Sequence, residues 1–91
     1  MNNSKIALVT GAGKGIGFEV AKQLGQQGIT VLTAARTKEA ADQAASELRQ
    51  QGIEAVGVQL EVTNEAHIAE LTKWIETEYG RLDILVNNAG V

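Results

Sequence analysis

An α/β fold, with a parallel sheet covered by helices on both faces, is what three features of this sequence predict. Four short apolar runs lack the alternation of a half-solvated strand, and continuous apolarity is what a strand buried on both faces requires. Three segments with apolar residues at helical spacing lie between those runs. A glycine-rich stretch marks the first strand-to-helix junction.

The first strand is Ile6-Ala7-Leu8-Val9, which stops at Thr10-Gly11. A helix follows from about Gly15 to Gln27, with Ile16, Val20 and Leu24 on one face. Gly28 stands where a helix ends in a left-handed residue. Thr30 to Ala35 is the second strand, rich in β-branched residues. The second helix carries the stripe Ala40, Ala41, Ala44, Ala45 and Leu48, with Gly52 as its terminator. Its small alanines let it lie close against a sheet. Ala55 to Leu60 is the third strand, through Val56, Val58 and Leu60. The third helix spans about Asn64 to Tyr79, with Ile68, Leu71, Ile75 and Tyr79 on one face and Gly80 behind it. Thr63 or Asn64 can cap its first turn, and Glu65 suits the positive end of its dipole. Leu82 to Val86 forms the last strand.

Right-handed crossovers restrict such a series to few topologies. The Rossmann-type sheet, in strand order 3-2-1-4, places the first two helices on one face and the third on the other. Its ligand crevice lies beside the ends of strands 1 and 4. The chain of 91 residues is one domain at most, and so small a domain buries only roughly 60–65% of the surface its unfolded chain exposes.

Composition narrows the function. A net charge of −3 argues against a nucleic-acid partner, which calls for a basic excess. Cysteine is absent, so no disulfide or thiolate metal site is possible, and one histidine with scattered carboxylates makes no metal centre. The apolar run at Ile6 to Val9 is far too short for a signal-peptide core or a membrane span. A cytoplasmic location without a membrane partner is the expectation. Aromatic residues are 3% of the chain, so the core must be aliphatic.

The glycine turn reads Thr10-Gly11-Ala12-Gly13-Lys14-Gly15-Ile16-Gly17. Glycines there permit a tight turn, let a phosphate approach bare backbone and let the helix pack closely on the sheet. The helix start offers unpaired N–H groups to a pyrophosphate. The common G-x-G-x-x-G fingerprint fails, because Gly11 and Gly13 would need glycine where Ile16 stands. The triphosphate P-loop fails too, since Gly15 follows Lys14 and Leu8 lies six residues before it. What fits is T-G-x-x-x-G-x-G.

That turn resembles the cofactor turn of the short-chain dehydrogenases/reductases, and three further segments match the family in order and spacing. Arg36 follows the second strand, Leu60-Glu61-Val62-Thr63 follows the third, and Leu82-Asp83-Ile84-Leu85-Val86-Asn87-Asn88-Ala89-Gly90 is close to the family's fourth strand with its N-N-A-G ending. The resemblance is to the carbonyl-reductase-like, NADP-preferring type and covers only the first part of a family member. It implies a truncated half of the doubly wound fold, with residues 1–91 as one dinucleotide-binding half-domain. The family activity it implies is hydride transfer between NADPH and a carbonyl or alcohol.

In NAD-selective enzymes an acidic residue near the end of strand 2 takes the adenosine ribose hydroxyls. Here the stretch is Ala34-Ala35-Arg36-Thr37, with no carboxylate. A guanidinium can grip the extra phosphate of NADP with paired, charge-assisted hydrogen bonds. Lys14 can reach it from the other side, and Thr37 can add a hydroxyl or backbone contact. NADP is therefore the expected cofactor in preference to NAD; the alternative is that Lys14 and Arg36 are solvated surface charges. By resemblance, Gly11, Gly13, Gly15, Ile16 and Gly17 form the pyrophosphate turn. Glu61 and Val62 align with the family's Asp-Val or Asp-Leu beside the adenine. Glutamate departs from that pattern with a longer reach, which leaves the Val62 backbone as the expected contact. Asn87 or Asn88, with Ala89 and Gly90, would line the ribose side, or the asparagines would tie strand 4 to neighbouring backbone.

The family's serine, tyrosine, lysine and upstream asparagine lie beyond the N-N-A-G segment, so no catalytic residue is expected in this chain and it is expected to be inactive alone. Tyr79 is followed four residues later by Asp83 rather than lysine and reads as a packing residue. His67 falls on the polar side of the third helix and reads as solvated, and Trp74 as partial cover over the core. Leu82 to Val86 would leave a bare apolar edge, so a homo-oligomer through strand 4 and the third helix is expected. The competing reading is a non-catalytic truncated module that self-associates and binds cofactor weakly or not at all.

Overall fold

A computed structural model of the chain describes residues 5–12, 15–61 and 64–88. Strands and helices alternate in the order β1 (Ile6–Thr10), α1 (Gly15–Gln26), β2 (Thr30–Ala35), α2 (Lys38–Arg49), β3 (Ala55–Gln59), α3 (Glu65–Tyr79) and β4 (Ile84–Val86). The sheet is parallel in the order β3-β2-β1-β4, as the sequence predicts. Ile6 stands beside Thr30, Ala7 beside Ile84 and Val31 beside Ala55.

Each face of the sheet has its own core. Ile6, Leu8, Leu32, Ala34, Val58 and Leu60 point to α3 and meet Leu71 and Ile75. Val9, Val31 and Ala55 point the other way, toward Ala21 of α1 and Ala45 and Leu48 of α2. Because side chains alternate across a strand, this division puts α1 and α2 on one face and α3 on the other. No residue of β1 is exposed, which accounts for its unbroken apolarity.

The stripe expected on α1 is not the one that packs. Gly17, Ala21 and Gly25 are the buried residues of this helix, while Ile16 is 74% exposed and Val20 and Leu24 are only half-buried. Close backbone approach is the reason: a Cβ on Gly25 would run into the Ile53 side chain. The α2 stripe behaves as expected through Ala41, Ala44, Ala45 and Leu48. A Cβ at Gly57 of β3 would stand 2.7 Å from the Ala41 carbonyl, and the buried Thr33 hydroxyl donates to that same oxygen at 3.0 Å.

On α3 the expected stripe is half right. Leu71 and Ile75 are buried, but Ile68 is exposed and lines an open cleft with Leu8, Leu60 and Leu85. Tyr79 is half-buried and stands edge-on to Trp74, with ring centroids 5.9 Å apart. Asn64, rather than a residue inside the helix, is the N-cap: its Oδ1 accepts from the His67 amide at 3.1 Å. Thr63, the other candidate cap, lies outside the described residues.

β4 is shorter than its apolar run because Asp83 spends its side chain on the ladder. The Ile6 amide donates to Asp83 Oδ2 at 2.8 Å, and the Asp83 amide donates to the Ile6 carbonyl at 2.9 Å. The Ile6 N–H, assisted by the nearby Arg81 guanidinium, holds the Asp83 carboxyl below its usual 3.8. A depressed carboxylate stabilises the fold above its unfolded value and loses that contribution as pH falls through the folded one. The Asp83 tie therefore persists until the solution is more acidic than the ordinary aspartate range.

Candidate functional site

Parallel strands bring Thr10, Ala35, Gln59 and Val86 to one edge of the sheet. The chain leaves β1 for α1 on one face, while β4, on the other side of β1, is reached from α3 on the opposite face. A crevice opens where neighbouring connections diverge in this way.

Gly11 leaves β1 with φ 62°, a left-handed conformation that side chains resist. The next residue, Ala12, is fully buried, and its amide donates to the Ala34 carbonyl at 3.1 Å. That amide is spent on the fold and not offered to a ligand. The chain enters α1 at Gly15, whose φ is 66° and whose Cα faces open space. The first amides of α1 have no intrahelical acceptor and stand at the positive end of its dipole. Ile16 is turned out to solvent beside them. Gly17 is turned in, where a Cβ would collide with the Gly11 carbonyl oxygen and come within 2.8 Å of Asn88 Nδ2.

The far wall of the crevice is bound to this turn through Thr10, which is 4% exposed. Its Oγ1 accepts from the Asn88 amide at 2.8 Å and shares its proton between the Val86 carbonyl and Asn87 Oδ1, each at 3.3 Å. Asn88 Nδ2 donates in turn to the Gly11 carbonyl at 3.4 Å. The Asn88 side chain thus ties the end of β4 to neighbouring backbone, while that of Asn87 meets the Thr10 hydroxyl rather than backbone.

At the end of β2, Arg36 is exposed. Gln59 Nε2 donates to its carbonyl at 3.0 Å, which fixes the backbone while no described residue engages its guanidinium. Thr37 is the N-cap of α2, its Oγ1 accepting from the Ala40 amide at 3.1 Å. That bond uses an acceptor site of the hydroxyl and leaves its proton to donate. From Ala34 to Thr37 no residue carries a carboxylate.

One strand further out, Glu61 is half-buried and closes a turn by accepting the Asn64 amide at 3.0 Å. Its own amide donates to His67 Nδ1 at 3.1 Å. His67 is therefore not a solvated helix residue, as expected, but half-buried and bonded to the exit of β3. Its place three residues after an asparagine cap is the signal that could have found it, since side chains there reach back over the helix start. Gly13, Lys14, Val62, Ala89 and Gly90 lie outside the described residues.

The acid–base inventory is short. Tyr79 lies at the opposite end of the sheet, near Glu54, and burial together with Glu54 and Glu78 pushes its phenol above 10.0. A phenol shifted upward stays protonated at neutral pH, the wrong direction for a general base. Among the described residues no cluster of His, Asp or Glu could hold a metal ion, and no helix is long and apolar enough to cross a membrane. On the α3 face a cleft of ≈ 170 Å³ runs between Leu8, Leu60, Leu82, Leu85, Thr10 and Asn87.

Comparison with known proteins agrees with this geometry. The family model for short chain dehydrogenase matches residues 5–91. An uncharacterized oxidoreductase of Bacillus subtilis, YxjF, is 46% identical over 87 residues, covering 96% of this chain and 34% of that protein. The (-)-isopiperitenone reductase of Mentha piperita is 45% identical over 91 residues, covering 96% of this chain and 29% of that one. Among solved structures, actinorhodin polyketide ketoreductase with NADPH superposes with a TM-score of 0.91 at 43% identity, over 98% of this chain and 34% of that one. The menthone neomenthol reductase of Mentha piperita gives a TM-score of 0.90 at 44% identity, over 99% and 33%. The chain spans about a third of the length of the curated relatives it matches.

Proposed function

The chain belongs to the short-chain dehydrogenase family, and from that premise we propose that the protein is an NADP-dependent oxidoreductase acting on a carbonyl or alcohol, with residues of this chain holding the cofactor. In this reading the α1 amides at Ile16 and Gly17 receive the pyrophosphate, and Gly11, Gly13 and Gly15 keep its path clear. Arg36 and Lys14 grip the 2′-phosphate, with the Thr37 hydroxyl donating to it. Glu61 and the Val62 backbone border the adenine, and Asn87, Asn88, Ala89 and Gly90 border the ribose. The fit rests on helix-start amides that have no intrahelical acceptor, an open Gly15 and an exposed Arg36 at one strand edge. The bound cofactor supplies the hydride; the residues of this chain bind and orient it. The proton is left to groups outside these residues, because Tyr79 is distant and shifted the wrong way. The chain alone is therefore proposed to be inactive, and the cytoplasm is proposed as its location.

Arg36 without a neighbouring carboxylate is the observation that carries the choice of NADP. Charge-assisted hydrogen bonds contribute about 1.5–3 kcal/mol, and each 1.4 kcal/mol is tenfold in affinity. Arg36→Ala is thus expected to raise the NADPH dissociation constant by about 10- to 100-fold in calorimetric titration and to leave NADH unchanged. Tighter binding of NADH by the wild type, or equal losses for both cofactors, would contradict the reading.

A second proposal follows from the α3 and β4 face. Leu85 is 60% exposed, and Ile68 and Trp74 are exposed on the same side. Apolar edges of this kind pair with other chains, so we propose self-association of this chain through β4 and α3. Light scattering at micromolar concentration is expected to give the mass of two chains; the mass of one would refute it.

A further inference from the structure

We propose that His67 is a proton-sensitive positioning residue, whose neutral ring fixes the Glu61 turn at the adenine edge of the site and whose protonation releases it. The cofactor half of the proposal rests on the reading of the site given above. A backbone N–H can only donate, so at 3.1 Å from the Glu61 amide the ring nitrogen Nδ1 must accept. The imidazole is then neutral, with its proton on Nε2. A protonated ring carries N–H on both nitrogens and would set donor against donor. Histidine is the side chain whose charge ordinarily changes between pH 5 and 8.

Three bonds make this one unit. The Glu61 amide donates to His67 Nδ1, the His67 amide donates to Asn64 Oδ1 at 3.1 Å, and the Asn64 amide donates to the Glu61 carbonyl at 3.0 Å. The exit of β3 is thereby tied to the first turn of α3, and only the ring bond can be broken by a proton. None of the four strands carries a charged residue. Among the described residues, the charges near this end of the sheet are Arg36 after β2, Lys38, its ion-pair partner Asp42 and Glu39 at the start of α2, Glu61 itself, and Glu65 and Glu70 on α3, while Arg81 and Asp83 lie at the opposite end.

The test follows the Glu61 amide and the His67 ring by nuclear magnetic resonance from pH 8 to pH 5, with NADP⁺ affinity measured at each pH. His67→Asn keeps an acceptor oxygen where Nδ1 stands and does not titrate, so it separates the ring's effect from titration of the cofactor's own phosphate. The Glu61 amide is expected to shift with the ring's midpoint. Wild-type affinity should fall about fivefold more than that of His67→Asn over the range, the worth of one net hydrogen bond. A Glu61 amide that ignores the ring's titration overturns the latch. Parallel affinity profiles in the two proteins overturn its link to the cofactor. Absence of NADP⁺ binding by both at every pH overturns that link and the site reading together, while the amide shift still decides the latch.

Discussion

Gly17→Ala is expected to destabilise the chain by about 2 kcal/mol and to weaken NADPH binding with it. Alanine is worth up to about 1 kcal/mol over glycine inside a helix, so propensity alone predicts a gain. Overpacking opposes it at typically about 1–3 kcal/mol and more where the neighbour is backbone. Here the obstacle is the Gly11 carbonyl oxygen, and it cannot retreat. Gly11 is held between β1 and the Ala12 amide, which is bonded to Ala34. The α1 start must move away from β1 instead, carrying the orphan amides with it. Gly15→Ala is the informative contrast. Nothing stands within 4 Å of its Cβ position, but its φ is 66°, so its cost is conformational, about 1 kcal/mol. Urea unfolding of the two variants checks both figures, and a neutral Gly17→Ala would show that the close approach is not real.

Thr10→Val should have the next largest effect. Valine copies the shape of threonine and removes only the hydroxyl, the group through which β1 holds the end of β4. The Asn88 amide, the Val86 carbonyl and Asn87 Oδ1 all meet it there. Leaving the part-buried Asn88 amide without its acceptor costs about 1–3 kcal/mol. Among the described residues β4 is short and pairs only with β1, so the loss should be felt locally first. Amide exchange at Val86 and Asn88 is expected to quicken before global stability falls, and Thr10→Ser should restore most of the protection. Equal exchange in Thr10→Val and wild type would remove Thr10 from its role as hub.

The order of elements and the sheet were legible because strands buried on both faces leave unbroken apolar runs, and β1 and β2 are such strands. Reading α1 by hydrophobicity failed for a physical reason. Periodicity takes large apolar residues as the buried ones, whereas a helix lying close on a parallel sheet buries its smallest. Gly17, Ala21 and Gly25 therefore face the sheet, and Ile16 faces the crevice mouth. Ile68 failed differently, as an apolar residue at the correct spacing that lines an open cleft rather than closed core. Arg36 was legible because position along the chain is enough to put it at a strand end. His67 was not, because its partner is a backbone amide six residues earlier, and only its place three residues after the Asn64 cap hinted at a side chain that reaches back over the helix start. Asp83 likewise hid a ladder bond behind an ordinary surface charge.

The account turns on amides at the β1–α1 junction and a cation after β2 serving one ligand. Backbone amide shifts recorded during titration with NADPH test this directly. Large changes are expected at Gly11, Ile16, Gly17 and Arg36, with smaller ones at Glu61 and Asn88. Saturating NADPH that leaves these amides unmoved, or moves only residues on the α3 face, would contradict it.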